Sequence, residues 1–111
     1  MASGLYGITF LNALKNTLAL DLDSDTIKIM LVTSSYTPDF GAHDFKSDVS
    51  NEVSGTNYTA GGNTLGSVTL TQTGGTIKFD AADTSWSSAT ITDARGAVIY
   101  DDSLTDDPLI A

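Results

Sequence analysis

The sequence predicts an all-β protein, an antiparallel β-sandwich with one short helix near its N-terminus. Apolar and polar residues alternate along residues 68–71 and again along 77–79, which is the period of a strand with one buried face. Gly74 and Gly75 lie between the two runs and favour a type I′ hairpin turn. Ser and Thr are abundant and glutamate occurs once, a composition that favours strands over helices. The segment 63–101 is therefore the expected centre of the fold.

The predicted helix lies close to the N-terminus. From Thr9 onward the apolar residues adopt helical spacing, with Leu11, Leu14 and Leu18 at positions i, i+3 and i+7. Thr9 is the expected N-cap, because its hydroxyl can accept a bond from the first free backbone N–H groups. The sequence predicts this as the one substantial helix.

The other strands follow from the same patterns. Residues 26–33 are expected to form a central strand, because apolar residues occupy both of its faces toward its end. A second hairpin is expected from residues 89–91 and 97–100. Residues 34–62 show little periodicity, which indicates either a functional or interface loop or a set of short strands. One short strand is expected within residues 52–58.

The length of 111 residues indicates one domain. Residues 1–8 are predicted to be a flexible N-terminal arm, since terminal segments are loose unless they dock on something. Residues 9–111 are predicted to be a single β-sandwich domain. The apolar side chains of the arm either pack on their own domain or reach a neighbouring subunit.

Charge restricts the partners of this chain. Fourteen acidic and five basic residues give a formal net charge of −9, so phosphate backbones and anionic headgroups are repelled. Neither nucleic acid nor a membrane is an expected partner. The chain has no cysteine, which excludes thiol catalysis and disulfides. No basic residue precedes the apolar N-terminal residues, so we expect a soluble chain that is not exported by a classical route.

No residue pattern typical of a catalytic or metal site is present. His43, the only histidine, lies in the irregular region without a serine in a nucleophile elbow, and we expect an exposed loop residue. Asp21, Asp23 and Asp25 begin like a calcium loop, but the glycine and glutamate that such a loop needs are missing. Trp86 either anchors an interaction or closes one end of the sandwich. We therefore predict a protein that is not an enzyme and has no metal and no cofactor.

Three segments carry a family resemblance. They read SDTIKIML at residues 24–31, NYTAGG at 57–62, and ARGAVIYDD at 94–102 followed by DPLI at 107–110. Together they resemble small virion proteins of tailed bacteriophages, the capsid decoration or cement proteins, and most of all the staple proteins of epsilon-type short-tailed phages. The motifs are structural, and none of them is chemical.

The resemblance implies a jelly-roll-like domain on the outer surface of the virion, made in the host cytoplasm. It further implies a homodimer whose partner is the major capsid protein, and which stabilises the capsid by bridging neighbouring shell subunits. A two-fold dimer presents the same contact twice, so a modest contact gains avidity. The alternative is a tail or receptor-binding module that recognises glycans, with Trp86 and Tyr58 on a shared face.

The two ends of the chain supply the candidate contacts with the shell or with a second subunit. The C-terminal apolar residues are expected to add to a sheet either in their own chain or in a partner. The candidate interface residues are Leu5, Tyr6, Ile8, Phe10, Pro108, Leu109 and Ile110. If these end segments carry the contacts and the sandwich is a rigid spacer, removal of residues 1–8 should leave a folded domain that no longer binds phage heads.

Overall fold

The computed structural model describes residues 1–111 and contains mostly antiparallel strands, with one α-helix and one turn of 3-10 helix at Lys46–Asp48. The elements are α1 (Gly7–Leu14), β1 (Ile27–Val32), β2 (Gly55–Thr56), β3 (Asn63–Thr64), β4 (Thr69–Thr73), β5 (Thr76–Asp80), β6 (Thr90–Ile91) and β7 (Gly96–Asp101). Every strand pair is antiparallel. The prediction of an all-β fold with one short N-terminal helix is confirmed.

The strands form three small sheets, of which the one containing β1 is the largest. Its order is β3-β1-β7, while β2 pairs only with β6 and β4 only with β5. Strand β1 pairs with β7 along its whole length, from Ile27 opposite Asp101 to Val32 opposite Gly96. Residues 26–33 therefore form a central strand as expected, with neighbours on both edges.

The predicted second hairpin is wrong. Residues Thr90–Ile91 pair with β2, and β7 pairs with β1. Val98 and Tyr100 of β7 are buried in the same cluster as Met30 and Val32 of β1, so this pairing joins two apolar faces. Alternation identifies strands but carries no information about which strands pair.

The first hairpin exists, but it is not the centre of the fold. Strands β4 and β5 pair in the expected register around Gly74 and Gly75. Every side chain of the two strands is exposed except that of Phe79, which is half-buried. Only Gly74 has a positive φ, +58°, which corresponds to a type II′ turn and not to the predicted type I′.

The hydrophobic core consists of two clusters on the β1–β7 pair. The larger cluster contains Tyr6, Met30, Val32, Tyr36, Val98, Tyr100 and Leu109. The smaller one contains Leu22, Ile27 and Ile110, with Phe10 and Phe79 among the half-buried residues packed against it. Residues from both ends of the chain are thus core residues.

The C-terminal segment lies beside β7 and extends its sheet. The Ile99 N–H donates to the Ala111 carbonyl at 2.7 Å, and the Asp101 N–H donates to the Pro108 carbonyl at 2.9 Å. On the far side, the Ile110 carbonyl accepts a bond from the Tyr6 N–H at 3.0 Å. The apolar C-terminus therefore adds to a sheet of its own chain, one of the two possibilities that the sequence left open.

Tyr6 fixes where the helix begins. Its side chain is 1% exposed, its hydroxyl lies 2.8 Å from that of Tyr36, and the next N–H, of Gly7, donates to the Phe40 carbonyl. Helix α1 starts directly after Tyr6 and has no side-chain cap. The prediction of Thr9 as N-cap is wrong, because Thr9 lies within the helix and its side chain is buried.

The loop at residues 57–62 is held against β1 by buried polar contacts. The Glu52 carboxylate accepts bonds from the Gly61 N–H at 2.7 Å and from the Tyr58 hydroxyl at 3.0 Å. The Tyr100 hydroxyl donates to the Gly61 carbonyl at 2.6 Å, and burial is the main cause that raises the pKa of Tyr58 to about 12. Gly62 has a φ of +76°, and a Cβ atom there would overlap the Ile29 carbonyl.

Gly62→Ala is expected to destabilise the fold by about 3 kcal/mol or more, because the added methyl group meets backbone at a φ that L-residues avoid. Urea unfolding measures this loss. The matched control is Gly66→Ala, where no atom lies within 4 Å of the added carbon and a change within about 0.5 kcal/mol is expected. Equal losses in the two variants would contradict this account of the loop.

Asp101 is a fully buried acid at the end of β7. Its Oδ1 accepts a bond from the Ser103 N–H at 2.9 Å, whereas its Oδ2 has no hydrogen-bond partner. Burial is the main cause that raises the pKa of Asp101 to about 7, and the neighbouring Asp25 carboxyl adds to the rise. The folded protein therefore favours the neutral acid.

The stability contributed by neutral Asp101 is expected to be complete below the ordinary pKa of an Asp, 3.8, and to be lost as the pH rises through about 7. Asp101→Asn keeps the shape and removes the titration, so its free energy of unfolding should fall less between pH values of about 4 and 7.5. Urea unfolding at several pH values tests this, with Asp102→Asn at an exposed position as control. Parallel pH profiles for Asp101→Asn and the wild type would refute the assignment.

Candidate interaction surface

The exposed large apolar side chains fall in two stretches of the chain that contain no charged residue. These stretches are residues 1–14 and 53–77, and all fourteen acidic residues lie outside them. The exposed residues are Met1, Leu5, Leu11, Leu14, Leu70 and Ile77. Apolar exposure and acidic charge are thus separated along the sequence.

Helix α1 carries apolar side chains beyond the core. Phe10 packs against the smaller core cluster, and Leu14, one turn later on the same helix face, is 87% exposed. Leu11 is also more than half exposed. The apolar face of the helix is therefore covered by the domain at Phe10 and exposed to solvent at Leu14.

The β4–β5 hairpin repeats this arrangement. Phe79 packs against the same cluster as Phe10, and Leu70 lies directly opposite Phe79. Ile77 shares this hairpin face, since it is two residues from Phe79, and it is 73% exposed. We define the apolar surface as Leu11, Leu14, Leu70 and Ile77. The helix and the hairpin are both anchored to the smaller core cluster. Exposed apolar side chains mark an interaction site where they form a contiguous patch.

The structure places the seven sequence-predicted interface residues in different environments. Leu5 is 60% exposed, and Ile8 and Phe10 are half-buried in α1. The other four, Tyr6, Pro108, Leu109 and Ile110, are buried inside their own chain. Of the predicted flexible arm, Tyr6 is a core residue and Gly7 and Ile8 belong to α1. Residues 1–8 thus cannot be removed as a dispensable arm, contrary to the expectation above.

Sequence reasoning does not identify the apolar surface. Leu11 and Leu14 were interpreted only as helix periodicity, and Leu70 and Ile77 only as the buried face of a central hairpin. The signal that could have found them is the absence of charge over residues 1–14 and 53–77 in a chain of net charge −9.

His43 is part of a hydrogen-bonded chain and is not the exposed residue that we expected. Its side chain is half-buried, its Nδ1 lies 3.0 Å from the Tyr36 hydroxyl, and it accepts a bond from the Asp39 N–H at 3.2 Å. The Tyr36 hydroxyl in turn meets that of Tyr6, and burial raises the pKa of Tyr36. These contacts join the irregular loop to the core.

Tyr58 and Trp86 lie side by side, with ring centroids 5.8 Å apart. Both rings are half-buried, and the Tyr58 hydroxyl is occupied by Glu52 and by the Leu31 N–H. The indole N–H of Trp86 is buried without a partner. The two aromatics therefore share a location, as the glycan-binding alternative requires, but neither presents a fully open ring.

A groove of about 250 Å³ lies between the first four residues and β7. The groove is lined mainly by apolar residues, and Arg95 is its one charged side chain. Met1 covers the backbone at Gly96. No carboxylate or histidine side chain lines the groove, and the hydroxyls of Tyr6 and Tyr36 are among its polar groups.

No three His, Cys, Asp or Glu side chains come together in an arrangement that could hold a metal ion. None of the helices has the length and apolar character needed to cross a membrane. Comparison with known proteins finds no matching family model, no matching curated protein and no matching solved structure.

Tyr6→Ala is expected to destabilise the protein by about 3–5 kcal/mol, the usual loss for a large aromatic side chain in a core. Leu5→Ala, at the neighbouring exposed position, should change the stability by no more than about 0.5 kcal/mol. Thermal or urea unfolding of the two variants measures these stability losses and shows whether Tyr6 belongs to the core. A stable Tyr6→Ala protein would show that the N-terminal residues are an arm after all.

Proposed function

We propose that this chain is a virion structural protein that binds the outside of a phage capsid and bridges neighbouring subunits of the major capsid protein. The resemblance of residues 24–31, 57–62 and 94–110 to capsid decoration proteins supports this proposal. The structural observation that carries it is the confinement of exposed large apolar side chains to the two charge-free stretches.

The apolar surface is the proposed shell contact. Burial of a leucine side chain contributes about 1.5–3 kcal/mol, so the four residues of this surface would supply part of the contact energy, and engagement of two copies together adds avidity. Leu5 and Met1 are two further exposed apolar residues in the charge-free N-terminal stretch. The acidic remainder keeps free copies apart and soluble until they dock.

The proposed dimer adds strength without any change to the shell protein. A two-fold assembly presents the apolar surface twice, so that the second contact forms within an already bound complex. A protein that binds only the assembled shell stabilises it by mass action. The role is non-enzymatic and places the chain on the outer surface of the virion.

The jelly-roll-like sandwich implied by the family resemblance belongs to this proposal. The antiparallel strands and the two core clusters on the β1–β7 pair are what supports it. In this proposal the β1–β7 pair is the rigid body that fixes the distance between the contacts.

A glycan-binding tail module is the second candidate. The adjacency of Tyr58 and Trp86 favours it, because aromatic pairs stack on sugar rings. Binding of the isolated chain to a glycan array, together with no binding to heads, would replace the capsid proposal by this one.

Leu14→Asp is expected to weaken binding to empty phage heads by at least about tenfold, because it puts a charge at a position where the proposed contact buries a leucine. The fold should be unaffected, since Leu14 is 87% exposed. Co-sedimentation with heads that lack the protein measures the binding. Ser87→Asp adds the same charge at an exposed position outside the apolar surface and serves as the matched control.

The two variants separate the outcomes. Normal binding by Ser87→Asp and weak binding by Leu14→Asp would support the apolar surface as the shell contact. If the wild-type chain does not sediment with heads at all, the proposed function is wrong. If both variants bind like the wild type, the contact lies elsewhere on the molecule.

A further inference from the structure

The β4–β5 hairpin is an incomplete sheet. No backbone hydrogen bond joins β4 to any segment other than β5, and the side chains of both strands are exposed apart from Phe79. A two-stranded hairpin is only marginally stable in water, and three or more strands are needed for independent stability. An open strand edge of this kind is also a template for another strand.

The outer edge of β4 is the edge suited to a second strand. Because Thr73 and Thr76 close a two-residue turn, the backbone groups of Thr71 face Lys78, and those of Leu70 and Gln72 face outward. Strand β4 has no charged side chain, whereas β5 carries Lys78 and Asp80. Lysine on an edge strand discourages pairing, so the two edges differ in this respect.

The charge of the protein indicates what can occupy this edge. Each copy has a net charge of −9, so two copies repel one another wherever acidic residues meet. Residues 53–77 contain no charge, and β4 lies within them. A contact between copies at this strand therefore places no acidic side chain of one β4 against an acidic side chain of the other.

We infer that two copies of this chain pair through the outer edges of β4, antiparallel about a two-fold axis at Thr71. The two hairpins then form one four-stranded sheet. Leu70 of each copy pairs with Gln72 of the other, and each of these two pairs exchanges two backbone hydrogen bonds. The threonines at the axis form a cross-strand pair of the kind that favours sheets.

The pairing also places the apolar surfaces of the two copies together. Leu70 and Ile77 lie on one face of the hairpin, so the joined sheet presents that face as one continuous area. The inference specifies the dimer contact of the proposed capsid function and in that sense rests on it. The pairing itself needs no shell protein.

Single cysteines test the arrangement, because the chain has none of its own. In the proposed pair the two Thr71 residues face each other at a non-hydrogen-bonded position, with Cα atoms about 4.5 Å apart, a distance that a disulfide can bridge. Thr71→Cys in the full chain is expected to form a covalent dimer on mild oxidation. Lys78→Cys lies directly opposite on β5, away from the proposed axis, and is the matched control, which should form no covalent dimer.

Proline substitutions give a second measurement that does not depend on oxidation. Gln72→Pro removes an outward N–H of β4 and leaves the bonds within the hairpin intact, so dimerisation should weaken by about tenfold or more. Ile77→Pro makes the same change on the outer edge of β5 and should not affect dimerisation. Light scattering over a range of concentrations measures both variants.

The inference is overturned if the wild-type chain is monomeric, if Lys78→Cys cross-links as fast as Thr71→Cys, or if Ile77→Pro weakens the dimer as much as Gln72→Pro. Head binding is measured separately. Cross-linking of Thr71→Cys without binding to heads would keep this inference and reject the proposed function. Binding to phage heads without cross-linking of Thr71→Cys would support the proposed function and reject this inference.

Discussion

The pairing of β1 with β7 is the constraint on which the rest of the structure depends. It joins an early and a late part of the chain over the full length of both strands. One free edge of this pair binds β3, and the other binds the C-terminal segment, which in turn holds the backbone of Tyr6. Both core clusters use side chains of these strands. Because such long-range pairing must form before most burial is possible, the fold is cooperative and its formation depends on distant contacts.

Around this pair the molecule separates apolar exposure from charge. The helix and the first hairpin attach to one cluster through single phenylalanines, Phe10 and Phe79, and then extend outward with apolar faces. Most acidic residues lie in the segments between the helix and the strands, with Asp80 in β5 and Asp101 in β7 as exceptions. Burial in the core does not require the apolar character of these faces, because the side chains that carry it are exposed.

Much of the fold could be predicted from local patterns, and the failures have a common physical cause. Alternation located β1, β4, β5 and β7 correctly because the strand period is a local property. It assigned the wrong partner to β7, since pairing is decided by which apolar faces can be buried together. Tyr6 could not be recognised as a core residue, because it is a single aromatic between flexible glycines and its contacts lie at the other end of the chain. The apolar surface could not be predicted for a related reason. Phe10 and Leu14 share a helix face, and only the tertiary structure shows that Phe10 packs against the core whereas Leu14 is exposed.

The position of residues 108–111 between β7 and Tyr6 has a consequence for biosynthesis. Leu109 and Ile110 are core residues, so neither cluster can be completed while these residues are still inside the ribosomal exit tunnel. The domain must therefore fold after translation has passed this segment, and not progressively from its N-terminus. Chains interrupted before Pro108 would lack part of the core, so they are expected to be degraded as unfolded polypeptides.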